Sequence, residues 1–237
     1  MPLGFTQQVI IGLSPGRTGS KSIAHVLASQ QYSSFTHEHA PKLPYKKDIA
    51  LLNKNIEAVQ NRYFHKKYLC FNGFFYTWYL PDLLKVFPNA KVYALTRDLE
   101  ETVKSHYTKV TKRCEGDMKY KNYWNRKDRG RCKSDWEICF PDLGEGLLLK
   151  EVISKYIELY QTYIQCYQNV YGSQIKLFDI QELNESSKML EFLRFVGIEE
   201  KDIRLPETKV QIVNRWFEVK ERRGGKAIEF KGIENEN

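Results

Sequence analysis

The residues with the clearest chemical character lie in one short segment near the N-terminus, from Gly12 to Ser22. An apolar run, Gln8–Leu13, precedes its turn, and Ile23, Val26 and Leu27 follow at helical spacing. A turn that links a buried strand to a helix directs backbone N–H groups and a helix dipole at one place, which suits an anion. The sequence therefore predicts a phosphate-binding loop. Its candidate ligand residues are Arg17, Thr18, Gly19, Ser20, Lys21 and Ser22.

The P-loop of nucleoside triphosphatases, G-x-x-x-x-G-K-[ST], is one alternative for this segment. Aligning it on Lys21 and Ser22 requires glycine at positions 15 and 20, where the chain has Pro15 and Ser20. Such an enzyme also needs a magnesium ligand at a strand end, for which Asp98 is the best candidate. An atypical P-loop kinase or NTPase stays open, although both required glycines are missing.

Two segments in matching order resemble the sulfotransferases that use PAPS (3'-phosphoadenosine 5'-phosphosulfate). Residues 15–23, Pro-Gly-Arg-Thr-Gly-Ser-Lys-Ser-Ile, are similar to that family's 5'-phosphosulfate loop, P-x-[RK]-[ST]-G-[TS]-x-x-[LI]. Residues 87–98 resemble its 3'-phosphate segment, in which a strand ends in Arg-Asp and a serine follows eight residues after the arginine; here these are Arg97, Asp98 and Ser105. A weaker similarity to the family's closing strand and helix extends the resemblance over about residues 8–198.

The resemblance implies in-line transfer of a sulfuryl group from PAPS to an acceptor hydroxyl or amine, with adenosine 3',5'-bisphosphate as product and no metal. It implies that Arg17 supports the bridging oxygen and the leaving 5'-phosphate, with residues 18–22 completing the cradle. Arg97 and Ser105 are expected to converge on the 3'-phosphate, because ligands in such folds bind beyond the carboxyl ends of the strands.

An acceptor hydroxyl also needs a general base, and the run Thr36-His37-Glu38-His39 offers three candidates. Glu38 lies 21 residues after Arg17, close to where the protein-tyrosine and some glycan sulfotransferases place a glutamate base. His37 and His39 are alternatives, because an imidazole titrates near neutrality. If this run continues a strand, His37 and His39 share one face and Glu38 lies on the other.

The order of elements predicts an α/β fold with a central, mostly parallel sheet flanked by helices, a nucleotide-binding architecture of P-loop type. Strands are predicted at 8–13, 32–36, 67–71, 91–96 and 175–178. Helices are predicted at 20–28, within 46–60, at 78–87, from the N-cap Asp98 to about 109, at 149–167, and after a cap at Asn184. His106 is interpreted as a helix-face residue, and the whole chain, 1–237, as one domain.

The net charge of +8 is concentrated in one segment. Between Lys109 and Lys133 there are ten Lys or Arg residues and three Asp or Glu residues, a net charge of +7. Residues 111–145 show no periodicity, so they are interpreted as an inserted basic loop or lid. Tyr120, Tyr123 and Trp124 alternate with cations there, which leaves a non-enzymatic anion or nucleic-acid binder as a second alternative.

Composition excludes several other classes of protein. The chain has no run of about 18 apolar residues, no signal-peptide pattern and no C-x-x-C pair among its five cysteines. A soluble, cytoplasmic protein is therefore expected, and the resemblance implies an enzyme with a nucleotide donor as its partner and no nucleic acid. The acceptor is left open among glycans, small molecules and protein side chains.

Overall fold

A parallel sheet carries the fold in the part of the chain that the structure describes, residues 7–111, 137–143 and 147–205 of a computed structural model. Its strands are β1 (Gln8–Leu13), β2 (Tyr68–Asn72), β3 (Lys91–Thr96) and β4 (Ile175–Asp179). Their order across the sheet is β2-β1-β3-β4. Gly12, near the end of β1, is paired with Asn72 on one side and Tyr93 on the other. The predicted fold class is confirmed.

Helices cover both faces of this sheet. In the described ranges they are α1 (Ser20–Ser29), α2 (Ile49–Tyr63), α3 (Tyr76–Val86), α4 (Leu99–Thr111), α5 (Leu149–Tyr171) and α6 (Ser186–Phe195). The predicted cap of the last helix is wrong, because Asn184 donates to the carbonyl of Gln181 and α6 begins two residues later. None of the described helices combines the length and apolar character that a membrane crossing requires.

Side chains of the strands alternate between two apolar layers. Val9, Ile11 and Leu13 face a large core built with α2, α3 and α5, whereas Ile10 faces a smaller one built with α1 and α6. Burying one such aliphatic side chain contributes about 1.5–3 kcal/mol, so a strand that is apolar on both faces is most stable at the centre of the sheet, where helices cover both faces. This explains why the continuous apolar run after Gln8 predicts a central strand.

The strand order reverses direction at β1, and this position defines where a ligand can bind. From β1 the chain moves to β2 on one side, and β3 then lies on the other side. The helix after β1 packs against the smaller core, whereas α4, after β3, packs against the larger core and α5. The carboxyl ends of β1 and β3 therefore lie at the switch point of the sheet, the position at which α/β sheets bind ligands.

The strand predicted at 32–36 is not formed. This segment runs beside β2 but makes one isolated bridge, between Ser33 and Tyr68. The Ser34 hydroxyl accepts from the backbone N–H of Cys70, and the Thr36 hydroxyl donates to the carbonyl of Cys70 at 2.5 Å. Ser and Thr side chains that bond to backbone groups compete with the ladder of a regular strand. The segment still delivers His37 to the carboxyl edge of the sheet.

Part of the predicted basic loop is described, and it belongs to the core. Cys139 and Phe140 are buried, and the Phe140 ring stacks on Phe74 with ring centres 4.2 Å apart. The Trp78 indole also donates to the carbonyl of Cys139 at 3.1 Å. This end of the segment therefore packs as core, while residues 112–136, with Tyr120, Tyr123 and Trp124, lie outside the described residues.

Candidate active site

The predicted phosphate loop turns sharply between β1 and α1. Gly16, Arg17 and Gly19 have positive φ angles of 81°, 61° and 76°. Glycine adopts this region at little cost, but for another residue the left-handed conformation costs roughly 1–2 kcal/mol. Arg17 therefore holds a strained backbone at the position that the sequence singles out, and such strain concentrates at functional sites.

Three side chains from elsewhere in the chain contact carbonyl oxygens of this turn and of the first residue of α1. His106 of α4 lies with Nε2 3.2 Å from the oxygen of Pro15 and 3.1 Å from that of Gly16. The Asn72 amide, at the end of β2, donates to the carbonyl of Ser20 at 3.1 Å. Arg97 reaches the carbonyl of Arg17 with Nη1 at 3.5 Å.

The loop's own side chains occupy different environments. Ser20 Oγ lies 3.1 Å from His37 Nε2, Lys21 is exposed, and Ser22 is half-buried in the first turn of α1. Thr18 is 1% exposed, and its hydroxyl has no hydrogen-bond partner among the described residues. Burying such a group without a partner costs about 1–3 kcal/mol, so this hydroxyl fits a loop that donates to a bound anion.

The two predicted phosphate-binding motifs meet beyond β1 and β3. Arg17 Nε donates to the hydroxyl of Ser105 at 3.1 Å, although 88 residues separate the two in sequence. Arg97 forms an ion pair with Glu101, from Nε at 2.9 Å and from Nη2 at 2.7 Å. Four predicted binding residues, Arg17, Thr18, Arg97 and Ser105, thus lie in or against one turn, and they bring two guanidinium groups and two hydroxyls to it.

Asp98 acts as the predicted helix cap. Its Oδ1 accepts from the backbone N–H of Glu101 at 2.8 Å, which satisfies one of the open donors at the start of α4. In the described ranges, no group of three or more His, Cys, Asp and Glu side chains has the arrangement of a metal site.

Glu38 and His37 lie together beside the loop, and His39 does not. The backbone of Glu38 has φ 55° and donates to the carbonyl of Asn72 at 2.7 Å. Its Oε2 is 3.7 Å from His37 Nδ1. The run does not continue as a strand, and the left-handed backbone at Glu38 breaks the alternation that would place His37 and His39 on one face. His39 instead contacts the carbonyl of Ala40, and its own carbonyl accepts from Asn55 of α2.

The surroundings of His37 and Glu38, the two adjacent candidates for the general base, give them different pKa values. Burial, together with the charges of Lys21 and Lys42, lowers the pKa of His37 to about 3. Burial raises the pKa of the Glu38 carboxyl above its ordinary value of 4.5, although Lys42, Lys109 and other nearby cations oppose the rise. Glu38 is therefore the stronger base of the two.

Three residues of the site escaped the sequence analysis: His106, Asn72 and Glu101. His106 lies on a face of α4, as interpreted, but it is 4% exposed and that face is turned toward the loop, which the sequence analysis did not predict. Asn72 links the loop to the backbone of Glu38, and Glu101 pairs with Arg97. Spacing gives a weak signal for Glu101 alone, since it lies one helical turn after Arg97.

Comparisons with known proteins identify the family. The model of the family described as "Sulfotransferase domain" matches residues 9–182. Among solved structures, a sulfotransferase from Alicyclobacillus acidocaldarius is similar, with 12% sequence identity, a TM-score of 0.48, and coverage of 82% of this chain and 83% of that chain. No curated protein sequence matches the chain. Because the family model matches well over half of its length, this chain belongs to the sulfotransferase family.

Proposed function

We propose that this sulfotransferase moves a sulfuryl group from PAPS to an acceptor hydroxyl or amine by in-line displacement. The observation that carries the proposal is the contact of Arg17 with Ser105 and with Arg97. PAPS carries one phosphate on the 3'-oxygen of its ribose and another on the 5'-oxygen. A protein that binds it therefore needs two anion sites a short distance apart. The loop after β1 and the strand end after β3 supply two such groups of donors at one edge of the sheet.

Arg17 is assigned to the 5' side of the donor. PAPS supplies an activated sulfuryl group whose transfer leaves negative charge on the 5'-phosphate. A guanidinium beside that phosphate stabilises the charge most when the charge is largest, which lowers the barrier rather than only the ground state. The strained backbone of Arg17 and its hydrogen bond to Ser105 hold this side chain in place.

Arg97 is assigned to the 3'-phosphate, together with Ser105. The Arg97 side chain is 12% exposed, so its charge is screened less than that of a surface cation. Its backbone lies at the end of β3, directly before the cap of α4, where the helix dipole also favours an anion. Planar guanidinium groups bind phosphates with two parallel hydrogen bonds, which provides both affinity and orientation.

Glu38 is assigned as the general base for the acceptor. Its carboxyl binds a proton more strongly than the His37 ring does, and a base is more effective as its pKa approaches the working pH. His37 keeps a second role, since its Nε2 contacts the loop hydroxyl of Ser20 and its Nδ1 lies beside Glu38. His37 therefore connects the base to the phosphate loop.

Calorimetry with three ligands tests the donor assignment. Adenosine 3',5'-bisphosphate without magnesium should bind and should raise the thermal stability. At about 100 times its dissociation constant a ligand adds about 2.7 kcal/mol to the free energy of unfolding. ATP with magnesium, or an oligonucleotide, should bind far more weakly. Tight magnesium-dependent binding of ATP with no response to the bisphosphate would instead support a P-loop kinase or NTPase.

A transfer assay tests the reaction itself. The protein is incubated with PAPS and separate pools of glycans, phenols, amines and peptides, and mass spectrometry detects products that gained one sulfuryl group. Formation of such a product, with release of the bisphosphate, establishes the activity and names the acceptor class. Bisphosphate binding without transfer to any pool would leave the chain as a nucleotide-binding member of the family.

A further inference from the structure

We infer that His106 is a positioning residue for the phosphate loop: by holding the carbonyl of Gly16, it turns the N–H group of Arg17 toward the bound 5'-phosphate. The inference rests on the proposed function, because it assigns a bound phosphate to this loop. His106 would touch neither the donor nor the acceptor. It would act through the backbone of the residue that carries the catalytic arginine side chain.

The contacts determine which nitrogen of the ring carries the proton. Nε2 of His106 faces two carbonyl oxygens, at 3.2 Å from Pro15 and 3.1 Å from Gly16. Carbonyl oxygens only accept hydrogen bonds, so Nε2 must be the protonated nitrogen and must donate to both. The geometry thus requires the Nε2–H tautomer of the ring.

One peptide unit transmits this contact to the anion. The carbonyl of Gly16 and the N–H of Arg17 belong to the same planar, trans peptide, so they point in opposite directions. An oxygen held on the α4 side by His106 therefore places the Arg17 N–H on the other side of the turn. The same contact stabilises the left-handed backbone of Arg17, which has φ 61°.

The His106 ring is packed closely against the turn. His106 is 4% exposed, and a Cβ added to Gly16 would lie 3.3 Å from its Cε1. Burial lowers the pKa of His106 to about 3, with the charge of Arg17 acting in the same direction. The ring is therefore neutral at working pH. It orients the peptide between Gly16 and Arg17 and adds no positive charge to the site.

Two variants separate the donor function from the volume of the ring. His106→Phe keeps a planar ring and removes the N–H group, whereas His106→Gln keeps an N–H donor at a similar reach. We expect His106→Phe to weaken adenosine 3',5'-bisphosphate binding by about tenfold or more, and His106→Gln to stay within about threefold of the unaltered chain. His65→Phe, at an exposed histidine after α2, is the control and should leave affinity unchanged.

A second ligand distinguishes positioning from general damage. Adenosine 3'-monophosphate lacks the 5'-phosphate, so its affinity should be the same in His106→Phe as in the unaltered chain. Equal losses for both ligands would mean that the substitution only disrupts the fold, and unchanged bisphosphate affinity would show that the contact does not matter. Either result overturns the inference.

A measurement on the unaltered chain covers the case in which His106→Phe does not fold. Nitrogen NMR of labelled histidine should show the neutral Nε2–H tautomer for His106, with shifts that stay constant between pH 5 and pH 9. The Nδ1–H tautomer would overturn the inference. If the unaltered chain binds no adenosine phosphate, the proposed function fails, and the tautomer still tests the contact with the loop.

Discussion

Arg97 and Glu101 form an ion pair in which Nε and Nη2 of the guanidinium both donate to a single carboxylate oxygen, Oε2, at 2.9 and 2.7 Å. The same oxygen also lies 3.4 Å from the side-chain amide of Gln181, which follows β4. A phosphate bound by Arg97 must therefore share this guanidinium with a carboxylate. Glu101 thus reduces the positive potential at the place proposed for the 3'-phosphate.

Glu101→Gln should tighten the binding of adenosine 3',5'-bisphosphate by about two- to fivefold, the range expected for removing one partly exposed like charge beside a phosphate. Calorimetry at fixed ionic strength measures the change. Glu100→Gln is the matched control, because Glu100 is exposed on the same turn and the change in net charge is identical. Weaker binding in Glu101→Gln alone would mean that the carboxylate orients Arg97 instead of competing with the phosphate.

Arg97→Ala and Arg17→Ala should affect different kinetic constants. Arg97→Ala removes a donor to the 3'-phosphate in every state, so it should weaken bisphosphate binding by at least about tenfold. Arg17→Ala should lower turnover at saturation more than affinity, because charge on the leaving group develops in the transition state. Lys104→Ala, an exposed cation on α4, controls for net charge. Loss of affinity alone in both variants would contradict the role given to Arg17.

Glu38→Gln should lower turnover by about 10²–10⁴-fold, the usual contribution of a general base. The amide keeps the shape of the side chain, so bisphosphate affinity should change little. His37→Ala and His39→Ala should reduce turnover less, and His39→Ala least, because His39 contacts Ala40 and α2 instead of the loop. Near-full turnover of Glu38→Gln together with an inactive His37→Ala would identify the histidine as the base.

The pH dependence of turnover gives an independent measurement of the base. Glu38 acts as a base only when it is deprotonated, and burial raises its pKa above 4.5. Turnover should therefore fall as the pH is lowered through that raised pKa, with a slope of one proton. His37, with a pKa of about 3, should add no second step between pH 5 and pH 8. Persistence of the acid limb in the residual activity of Glu38→Gln would assign it to another group.

Asp202→Asn should destabilise the fold by about 1–3 kcal/mol in denaturant unfolding, because the buried side chain loses the negative charge that strengthens its two hydrogen bonds. Asp202 accepts from the ammonium of Lys67 at 2.8 Å and from the hydroxyl of Tyr68 at 2.6 Å, and its side chain is 3% exposed. Glu199→Gln is the control, since it contacts the same lysine from a half-exposed position and should cost much less. If both variants lost the same free energy of unfolding, burial of Asp202 would make no contribution of its own to the stability of the fold.

The sequence by itself determined the local parts of this protein. The order of strands and helices follows from apolar periodicity. The bounds predicted for β3, 91–96, are those that the structure has. The glycine-bearing turn before α1 and the cap at Asp98 also depend on residues that are close together in the chain. Such features can be predicted because a strand, a turn or a cap is stabilised mainly within a few residues of itself.

Only the tertiary structure decided which of these parts touch. Ser105 bonds to Arg17, and His106 faces the turn, because the order β2-β1-β3-β4 places α4 beside the loop that follows β1. Glu38 leaves the pattern of a strand because hydroxyl side chains and the end of β2 hold this segment instead of a regular ladder. These contacts join residues 34–91 positions apart. Their geometry depends on how whole layers pack, which the periodicity of one sequence does not encode.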